Sequence, residues 1–110
     1  MDYLPLFTRI NSKTCLLVGG GTVALRKAGA LARAGATLRV VAPAISEELK
    51  ALCGETGGEI AEREYTDTDL DGVMLVIAAT DNEQLNQRVS ASAQARNILV
   101  NVVDQPELCS

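Results

Sequence analysis

The sequence predicts an α/β fold: a Rossmann-like, doubly wound, parallel five-stranded sheet in a single domain covering residues 1–110. Short apolar runs alternate with helical patterns along the chain, which is typical of βαβ units. One of these runs ends in three consecutive glycines and leads directly into a helix-forming segment. The length of 110 residues suits one domain, and an apolar content of 47% supplies a core.

Five short segments are predicted to be strands. The third alternates polar and apolar residues, which is typical of an edge strand, whereas the fourth is wholly apolar and is predicted to be buried. The predicted strands are Thr14–Val18, Thr37–Ala42, Glu59–Tyr65, Met74–Ala79 and Ile98–Val103.

Helices are predicted between all successive strands, in the order β-α-β-α-β-α-β-α-β. The first has Ala24, Ala28 and Leu31 on its sheet-facing side and stops at Gly35. Ser46 is predicted to cap the second helix, and the segment Thr80-Asp81-Asn82-Glu83 matches a capping box for the last. These three helices are predicted over residues 22–34, 46–53 and 80–95.

The glycine turn fits the G-x-G-x-x-[G/A] spacing of a dinucleotide-binding loop. Gly19 allows a tight exit from the strand, Gly21 lets a pyrophosphate approach the backbone, and Ala24 lets the helix pack closely. The following helix N-terminus offers unpaired N–H groups to the phosphates. The alternative is a strand–helix turn that binds no ligand.

Because the carboxyl ends of parallel strands meet at one edge of a sheet, loops 19–23, 42–44 and 80–81 are predicted to converge there. Thr80 is interpreted first as a helix cap, and backbone contacts from its loop to a ribose are compatible with capping. Asp104 closes the fifth strand at the same edge. It either caps the turn before Pro106 or serves as a catalytic carboxylate.

The usual acidic residue after the second strand, which would bind the adenosine ribose, is absent. The chain reads Val-Val-Ala-Pro-Ala at positions 40–44, which weakens the standard NAD pattern. Arg26 and Lys27 either pair with a 2′-phosphate or form a solvated helix face. Asn101 is a polar residue in a strand that is expected to be buried, and it either satisfies a backbone group or has a functional role.

Composition excludes several classes of function. The chain has no histidine, so no metal site is predicted and acid–base chemistry falls to a carboxylate, tyrosine, lysine or cysteine. A net charge of −4 without a basic stripe argues against nucleic acid as a partner. No apolar run has membrane-spanning length, and the three cysteines form no C-x-x-C pair. These features favour the cytoplasm, no membrane partner, and a core role for Cys15.

Several motifs together resemble the N-terminal domain of siroheme synthase, over essentially the whole chain. The combination of the glycine turn with the later motifs is more specific than the glycine spacing alone. The matching segments are Tyr3-Leu-Pro-Leu-Phe7, Cys15-Leu-Leu-Val-Gly-Gly-Gly-Thr-Val-Ala-Leu-Arg-Lys27, Val40-Val-Ala-Pro43, Val76-Ile-Ala-Ala-Thr-Asp81, Asn86-Gln-Arg88 and Asn101-Val-Val-Asp104.

The resemblance implies a precorrin-2 dehydrogenase/sirohydrochlorin ferrochelatase, which oxidises precorrin-2 with NAD and then inserts Fe²⁺ as a substrate. It implies NAD contacts at Thr22, Val23, Pro43 and Ala44, so that the backbone at 43–44 replaces the missing acid. It also implies that Asp104 is the general acid/base of both reactions. In the full-length form of the family, a homodimer, a methyltransferase domain follows.

The family continues beyond the position of Ser110 into a dimerisation region and a small helical domain that complete the tetrapyrrole cleft. The 110 residues alone are therefore expected to bind NAD weakly and to turn over little. Two alternatives remain at this point. One is a non-catalytic nucleotide-sensing module, although such modules usually carry the acid that is absent here. The other is a redox-inert domain that uses the fold only for dimerisation.

Overall fold

A computed structural model describes residues 13–103, and a five-stranded parallel sheet forms the centre of the fold. Its strands are β1 (Thr14–Val18), β2 (Thr37–Val41), β3 (Glu59–Ala61), β4 (Leu75–Ala78) and β5 (Leu99–Val102). Their order across the sheet is β3-β2-β1-β4-β5, and every neighbouring pair is parallel. The predicted Rossmann-like fold class is confirmed.

The strand predictions hold closely except at the third strand. β1 has the predicted limits, and β2, β4 and β5 are each within a residue at either end. β3 is an edge strand as predicted, but it ends at Ala61 and not at Tyr65. The opposite edge strand is β5, where Leu99 and Val102 are exposed. The expectation that the strand carrying Asn101 is buried is therefore wrong.

Three helices accompany the sheet: α1 (Thr22–Arg33), α2 (Glu47–Glu55) and α3 (Glu83–Ala95). The predicted helix between β3 and β4 is wrong, because a 3-10 turn over Asp67–Leu70 takes that place. Thr66 and Asp69 cap this turn reciprocally, and Gly72 turns the chain away with a φ of 75°. The segment is too short to place an apolar stripe over several turns.

The predicted start of α3 is also corrected. Asn82, and not Thr80, is the N-cap: its side chain accepts a hydrogen bond from the Leu85 N–H at 3.1 Å. The hydroxyl of Thr80 is occupied elsewhere, since it accepts from the Asn82 N–H at 3.1 Å and donates to the Asn86 side chain at 2.6 Å. The four-residue motif therefore marks the helix start, with the cap two residues later.

Layers of helix cover both faces of the sheet. α1 and α2 share one apolar cluster with alternate strand residues such as Cys15, Leu17 and Val40. α3 and the 3-10 turn share the other, with Leu16 and Val18. The predicted sheet-facing residues of α1 are buried as expected, namely Ala24, Ala28 and Leu31. Strands buried on both faces produce the continuous apolar runs seen in the sequence.

The strand register places the candidate site. Val18, the last residue of β1, lies beside both Val41 and Ala78, the last residues of β2 and β4. Ala78 in turn pairs with Val102 at the end of β5. Four strands thus end level with one another, and the loops that follow them emerge at a single edge. In strand order, the direction of winding reverses between β1 and β4, which is where such folds bind ligands.

Candidate functional site

The loops after β1, β2 and β4 interlock at this edge, as predicted. Gly19 has a φ of 138°, and a Cβ there would lie 2.5 Å from the carbonyl oxygen of Ala79 in the loop after β4. A Cβ at Gly20 would overlap the carbonyl oxygen of Ala44 in the loop after β2. Glycine is therefore required at both positions so that three loops can pack together.

The N-terminus of α1 has no side-chain cap. Its N-cap is Gly21, and the first turn carries no acidic residue. The other two helices are capped by Ser46 and Asn82, and each has glutamate in its first turn. The initial N–H groups of a helix need acceptors, and here neither a side-chain cap nor a carboxylate in the first turn supplies one. The end of α1 is thus suited to an external anion.

Space is available at that helix end. A Cβ added at Gly21 would meet no atom within 4 Å, and its φ of −101° suits any residue. Gly21 and Thr22 are exposed, and Val23 is half-buried. Gly21 therefore serves neither packing nor a left-handed turn, in contrast to Gly19 and Gly20. An unobstructed backbone at this position lets a pyrophosphate approach closely.

The loop after β2 presents Pro43 and Ala44 to solvent, and its backbone is fixed on both sides. The Ser46 N–H donates to the carbonyl of Gly20 at 3.0 Å. The Ile45 N–H donates to the carboxylate of Glu62 at 3.2 Å. The two residues predicted to contact the cofactor thus lie on an exposed but held backbone, directly beside the glycine turn.

The loop after β4 is held by a buried side chain. Asn86, on the first turns of α3, is only 3% exposed. Its amide oxygen accepts from the Thr80 N–H at 3.3 Å, and its amide nitrogen donates to the Thr80 carbonyl at 3.0 Å. Thr80 is half-buried, and its position at the edge is set by α3.

A cleft of about 520 Å³ opens beside these loops, on the α3 side of the sheet. Apolar side chains form much of its wall, and Glu64, Asp81 and Arg88 add charge. Arg88 lies 5.4 Å from the ring centre of Tyr65 and 3.6 Å from the carboxylate of Asp67. The lining residues are Val18, Val41, Ala42, Pro43, Glu64, Tyr65, Thr80, Asp81, Asn82, Gln84, Leu85 and Arg88.

Tyr65 lines this cleft, is buried, and keeps its hydroxyl protonated at neutral pH. Its hydroxyl is buried without a hydrogen bond of standard geometry. Burial first, and then the neighbouring carboxylate of Asp67, raise the pKa of Tyr65 to about 12. The ring acts as an apolar wall beneath Arg88.

Other predicted residues lie apart from the converging loops or outside the described residues. Asp104, Cys109 and the motif at residues 3–7 lie outside the described residues. The last described residue is Val103, whose N–H donates to the Ala78 carbonyl at 2.9 Å. Arg26 is exposed and Lys27 half-buried on α1, and neither lines the cleft. Asn101 is half-buried on the edge strand β5.

Among residues 13–103, no group of three or more histidine, cysteine, aspartate or glutamate side chains is arranged to hold a metal ion. Cys15 and Cys53 are buried free thiols. Burial raises the pKa of the Cys15 thiol to about 11. The Cys53 thiol, whose pKa is also raised by burial, donates to the carbonyl of Leu38 at 3.4 Å. Both thiols belong to the core, as the sequence predicted for Cys15.

Sequence reasoning missed three residues that build this edge: Gly20, Glu62 and Asn86. For Asn86 a signal was present, because it shares the buried face of α3 with Val89 and Ala93, and a polar residue in such a stripe needs a partner. The roles of Gly20 and Glu62 depend on loops distant in sequence, and no local pattern reports them.

Together, the doubly wound sheet and the glycine turn before an uncapped helix define a nucleotide-binding domain of the Rossmann type. A family model described as "Putative NAD(P)-binding" matches residues 6–110. The chain belongs to this NAD(P)-binding family, and the cofactor class is therefore a nicotinamide dinucleotide.

Among curated proteins, the chain is similar to siroheme synthases. It is 59% identical to the siroheme synthases of Pseudomonas entomophila (strain L48) and Pseudomonas aeruginosa (strain LESB58), and 54% identical to that of Saccharophagus degradans. Each alignment covers 100% of this chain and 24% of the relative. The chain thus spans about a quarter of these enzymes, matching their N-terminal part, and the resemblance seen in the motifs is confirmed.

A solved structure described as "SirC, precorrin-2 dehydrogenase" has the same fold. The superposition has a TM-score of 0.68 at 28% sequence identity and covers 84% of this chain and 45% of that one. Within residues 13–103, no helix is both long enough and apolar enough to cross a membrane.

Proposed function

We propose that residues 1–110 form the NAD-binding domain of a precorrin-2 dehydrogenase that also acts as a sirohydrochlorin ferrochelatase. The proposal rests on the similarity to siroheme synthases and to a precorrin-2 dehydrogenase, together with a site suited to a dinucleotide. Precorrin-2 and sirohydrochlorin would be the tetrapyrrole substrates, and Fe²⁺ would be a substrate and not a resident metal. The working form would be a cytoplasmic homodimer.

The uncapped N-terminus of α1 at Gly21 is the observation that carries the proposal. Open space at Gly21 and helix N–H groups without a side-chain cap fit a pyrophosphate. Thr22 and Val23 begin the helix, so their N–H groups are the donors available there. Gly19 shapes the turn and does not need to touch the ligand.

The adenosine half would extend from the glycine turn toward β2. The loop carrying Pro43 and Ala44 adjoins Gly20, and the cleft beyond Pro43 has the apolar side chains Val41 and Leu85 to accept a flat base. Backbone at 43–44 would contact the ribose, since no acid ends β2. Thr80 would meet the ribose of the other half of the cofactor from the loop after β4.

Charge around the β2 loop supports NAD as the cofactor and not NADP. The carboxylate of Glu62 contacts the backbone at Ile45, and Glu64 lines the cleft with Pro43. Glu62 is neutralised by its ion pair with Lys50, so Glu64 is the carboxylate at the ribose end of the site that disfavours a 2′-phosphate. Arg26 and Lys27, the other candidate partners for that phosphate, lie on α1 and not on this loop.

Bound NAD would accept the hydride removed from precorrin-2. In this proposal Asp104 accepts the proton that leaves the tetrapyrrole in the same oxidation, and in chelation it accepts protons from pyrrole nitrogens as Fe²⁺ enters. A carboxylate suits both tasks in a chain without histidine. The basic residues that attract the substrate's many carboxylates would lie elsewhere in the protein, since this chain carries a net charge of −4.

The test uses the natural protein that contains this chain, supplied with precorrin-2 and either NAD⁺ or NADP⁺. NADH formation at 340 nm, with NAD⁺ preferred, is the expected result. Asp104→Ala should retain NAD⁺ affinity in calorimetry and lose most turnover, whereas Asp71→Ala, at an exposed carboxylate far from the loops, should keep both. Near-normal rates in Asp104→Ala would remove Asp104 from the mechanism. NAD⁺ binding without any turnover would favour the nucleotide-sensing alternative.

A further inference from the structure

The loop after β2 carries Pro43 and Ala44 and depends on a side chain from the neighbouring strand. β3 pairs with β2 in register, with Ala61 beside Val41, and the Ala42 N–H donates to the Ala61 carbonyl at 3.2 Å. Glu62 is the next residue after β3. It therefore emerges alongside the start of the loop, at the same edge of the sheet.

Both oxygens of the Glu62 carboxylate are engaged. One accepts from the Ile45 N–H at 3.2 Å, and the other lies 3.2 Å from the ammonium group of Lys50 on α2. Lys50 also contacts Glu47 at 3.3 Å, so it is held from two sides. The Lys50 ion pair, followed by the Ile45 N–H, lowers the pKa of Glu62. The carboxylate is thus ionised at neutral pH and tied to both the loop and α2.

This arrangement differs from a surface ion pair because the Glu62 carboxylate also accepts a hydrogen bond from the loop backbone. Ile45 is buried, with 6% exposure, and its side chain anchors the loop in the core shared with α1 and α2. The buried Ile45 side chain anchors the loop in the core, and Glu62, which follows β3, accepts a hydrogen bond from the Ile45 N–H. Pro43 and Ala44, immediately before it, remain exposed.

We infer that Glu62 is a positioning residue for the dinucleotide site, which holds the backbone at residues 43–45 in the form that contacts the cofactor ribose. The inference rests on the proposed cofactor role of that loop. Dinucleotide folds commonly use a carboxylate at the end of β2 on the ribose itself. Here a carboxylate from the end of β3 acts on the loop backbone and does not touch the cofactor.

The test compares Glu62→Ala, Glu62→Gln and the control Glu59→Ala in the natural protein that contains this chain. Glu59 is matched to Glu62 because it is a glutamate of the same segment that pairs with a cation, Arg39 at 3.5 Å, but it begins β3, at the end of the strand away from the loop. Glu62→Ala should weaken NAD⁺ affinity about fivefold, the size expected from losing a charge-assisted hydrogen bond that acts indirectly. The KM for NAD⁺ should rise while kcat stays within about twofold.

Glutamine keeps an oxygen that can accept from the Ile45 N–H, so Glu62→Gln should restore most of the lost affinity. Hydrogen exchange without cofactor provides a second measurement: amides in the peptide covering residues 42–48 should exchange faster in Glu62→Ala only. Wild-type NAD⁺ affinity in Glu62→Ala, or equal losses in the alanine and glutamine variants, would overturn the inference and leave the proposed function intact. A wild-type protein that binds no NAD⁺ would overturn both.

Discussion

The side chain of Asn86 hydrogen bonds to Thr80 at both of its backbone polar groups. The amide oxygen accepts from the Thr80 N–H, and the amide nitrogen donates to the Thr80 carbonyl, at 3.3 and 3.0 Å. This double contact connects the buried face of α3 to the loop after β4. A helix position that would otherwise be apolar thereby fixes part of the candidate cofactor site.

Asn86→Ala is expected to destabilise the protein and to loosen this loop. The Thr80 groups lose their partners in a half-buried place, which should lower the free energy of unfolding by about 1–3 kcal/mol. NAD⁺ affinity should fall as well, since Thr80 loses its contacts to α3. Urea denaturation and calorimetry measure the two effects. Gln87→Ala, at the exposed neighbouring position, is the control, and unchanged stability of Asn86→Ala would contradict the structural role.

Alanine substitutions at the adjacent glycines Gly20 and Gly21 should differ strongly in their effect on stability. Gly20→Ala places a methyl group against the Ala44 carbonyl, so a shift of the loop or a loss of more than about 2 kcal/mol of stability is expected. Gly21→Ala has open space and should cost less than about 1 kcal/mol. Thermal unfolding of the two variants decides the matter. Equal destabilisation would show that the loops do not interlock as described.

The variant Gly21→Asp tests whether the pyrophosphate of NAD⁺ binds at this turn, without disturbing the fold. The side chain should be accommodated, because nothing lies within 4 Å of its Cβ position. Its carboxylate would occupy the end of α1 and repel the pyrophosphate, so NAD⁺ affinity should fall by at least about tenfold, and dehydrogenation with it. Calorimetry measures the affinity, with Gly54→Asp, an exposed glycine of α2, as the control for added charge. Unaltered affinity would argue against phosphates at this turn.

Acid stability should depend on Asp69. This buried carboxylate accepts two hydrogen bonds from Arg63 and one from the Thr66 N–H, and the Arg63 contact holds its pKa below the usual range. A depressed folded-state pKa stabilises the protein above the unfolded value of about 3.9, and this stabilisation is lost as pH falls through the folded-state pKa.

Asp69→Asn should therefore lower stability at pH 7 and flatten the decline of stability below pH 4, since asparagine does not titrate there. Denaturation curves between pH 2.5 and pH 7 provide the measurement. Asp71→Asn, at an exposed carboxylate paired with Arg96, is the control and should follow the wild-type curve. A steep acid transition persisting in Asp69→Asn would assign it to other groups.

The Cys15 thiol should be unreactive in the folded protein. Burial raises its pKa to about 11, so little thiolate exists at pH 8. Because the folded-state pKa lies above the unfolded value, the thiol also favours folding less as pH rises from about 9 toward 11. Iodoacetamide labelling followed by mass spectrometry should modify Cys15 only after denaturant is added. Rapid native labelling would contradict its place in the core.

The central strands and the glycine turn could be predicted from sequence because their causes are local. A strand buried on both faces reads as a continuous apolar run, and a turn without room for a Cβ requires glycine. The prediction for the segment after β3 was wrong because the alternation of strands and helices along the chain favoured another helix. The short 3-10 turn there is set by the exchange between Thr66 and Asp69 and by its packing under α3.

The site could be predicted only where its residues follow a spacing rule. Gly19, Gly21 and Ala24 do so, whereas the support given by Glu62 to Ile45 and by Asn86 to Thr80 depends on how distant segments meet. The cap of α3 is Asn82 and not the predicted Thr80, whose hydroxyl bonds to the Asn86 side chain. Local preference sets which segments form, and tertiary contacts decide the tasks of individual side chains.

The position of β1 in the sheet governs when the domain can fold during synthesis. β1 is made first but lies between β2 and β4, with Cys15 paired to Leu75. Until residues 75–78 leave the ribosome, one side of this apolar strand has no hydrogen-bonding partner. The sheet is therefore incomplete until β4 emerges, and a chain stopped before β4 should aggregate although it already carries the whole glycine turn.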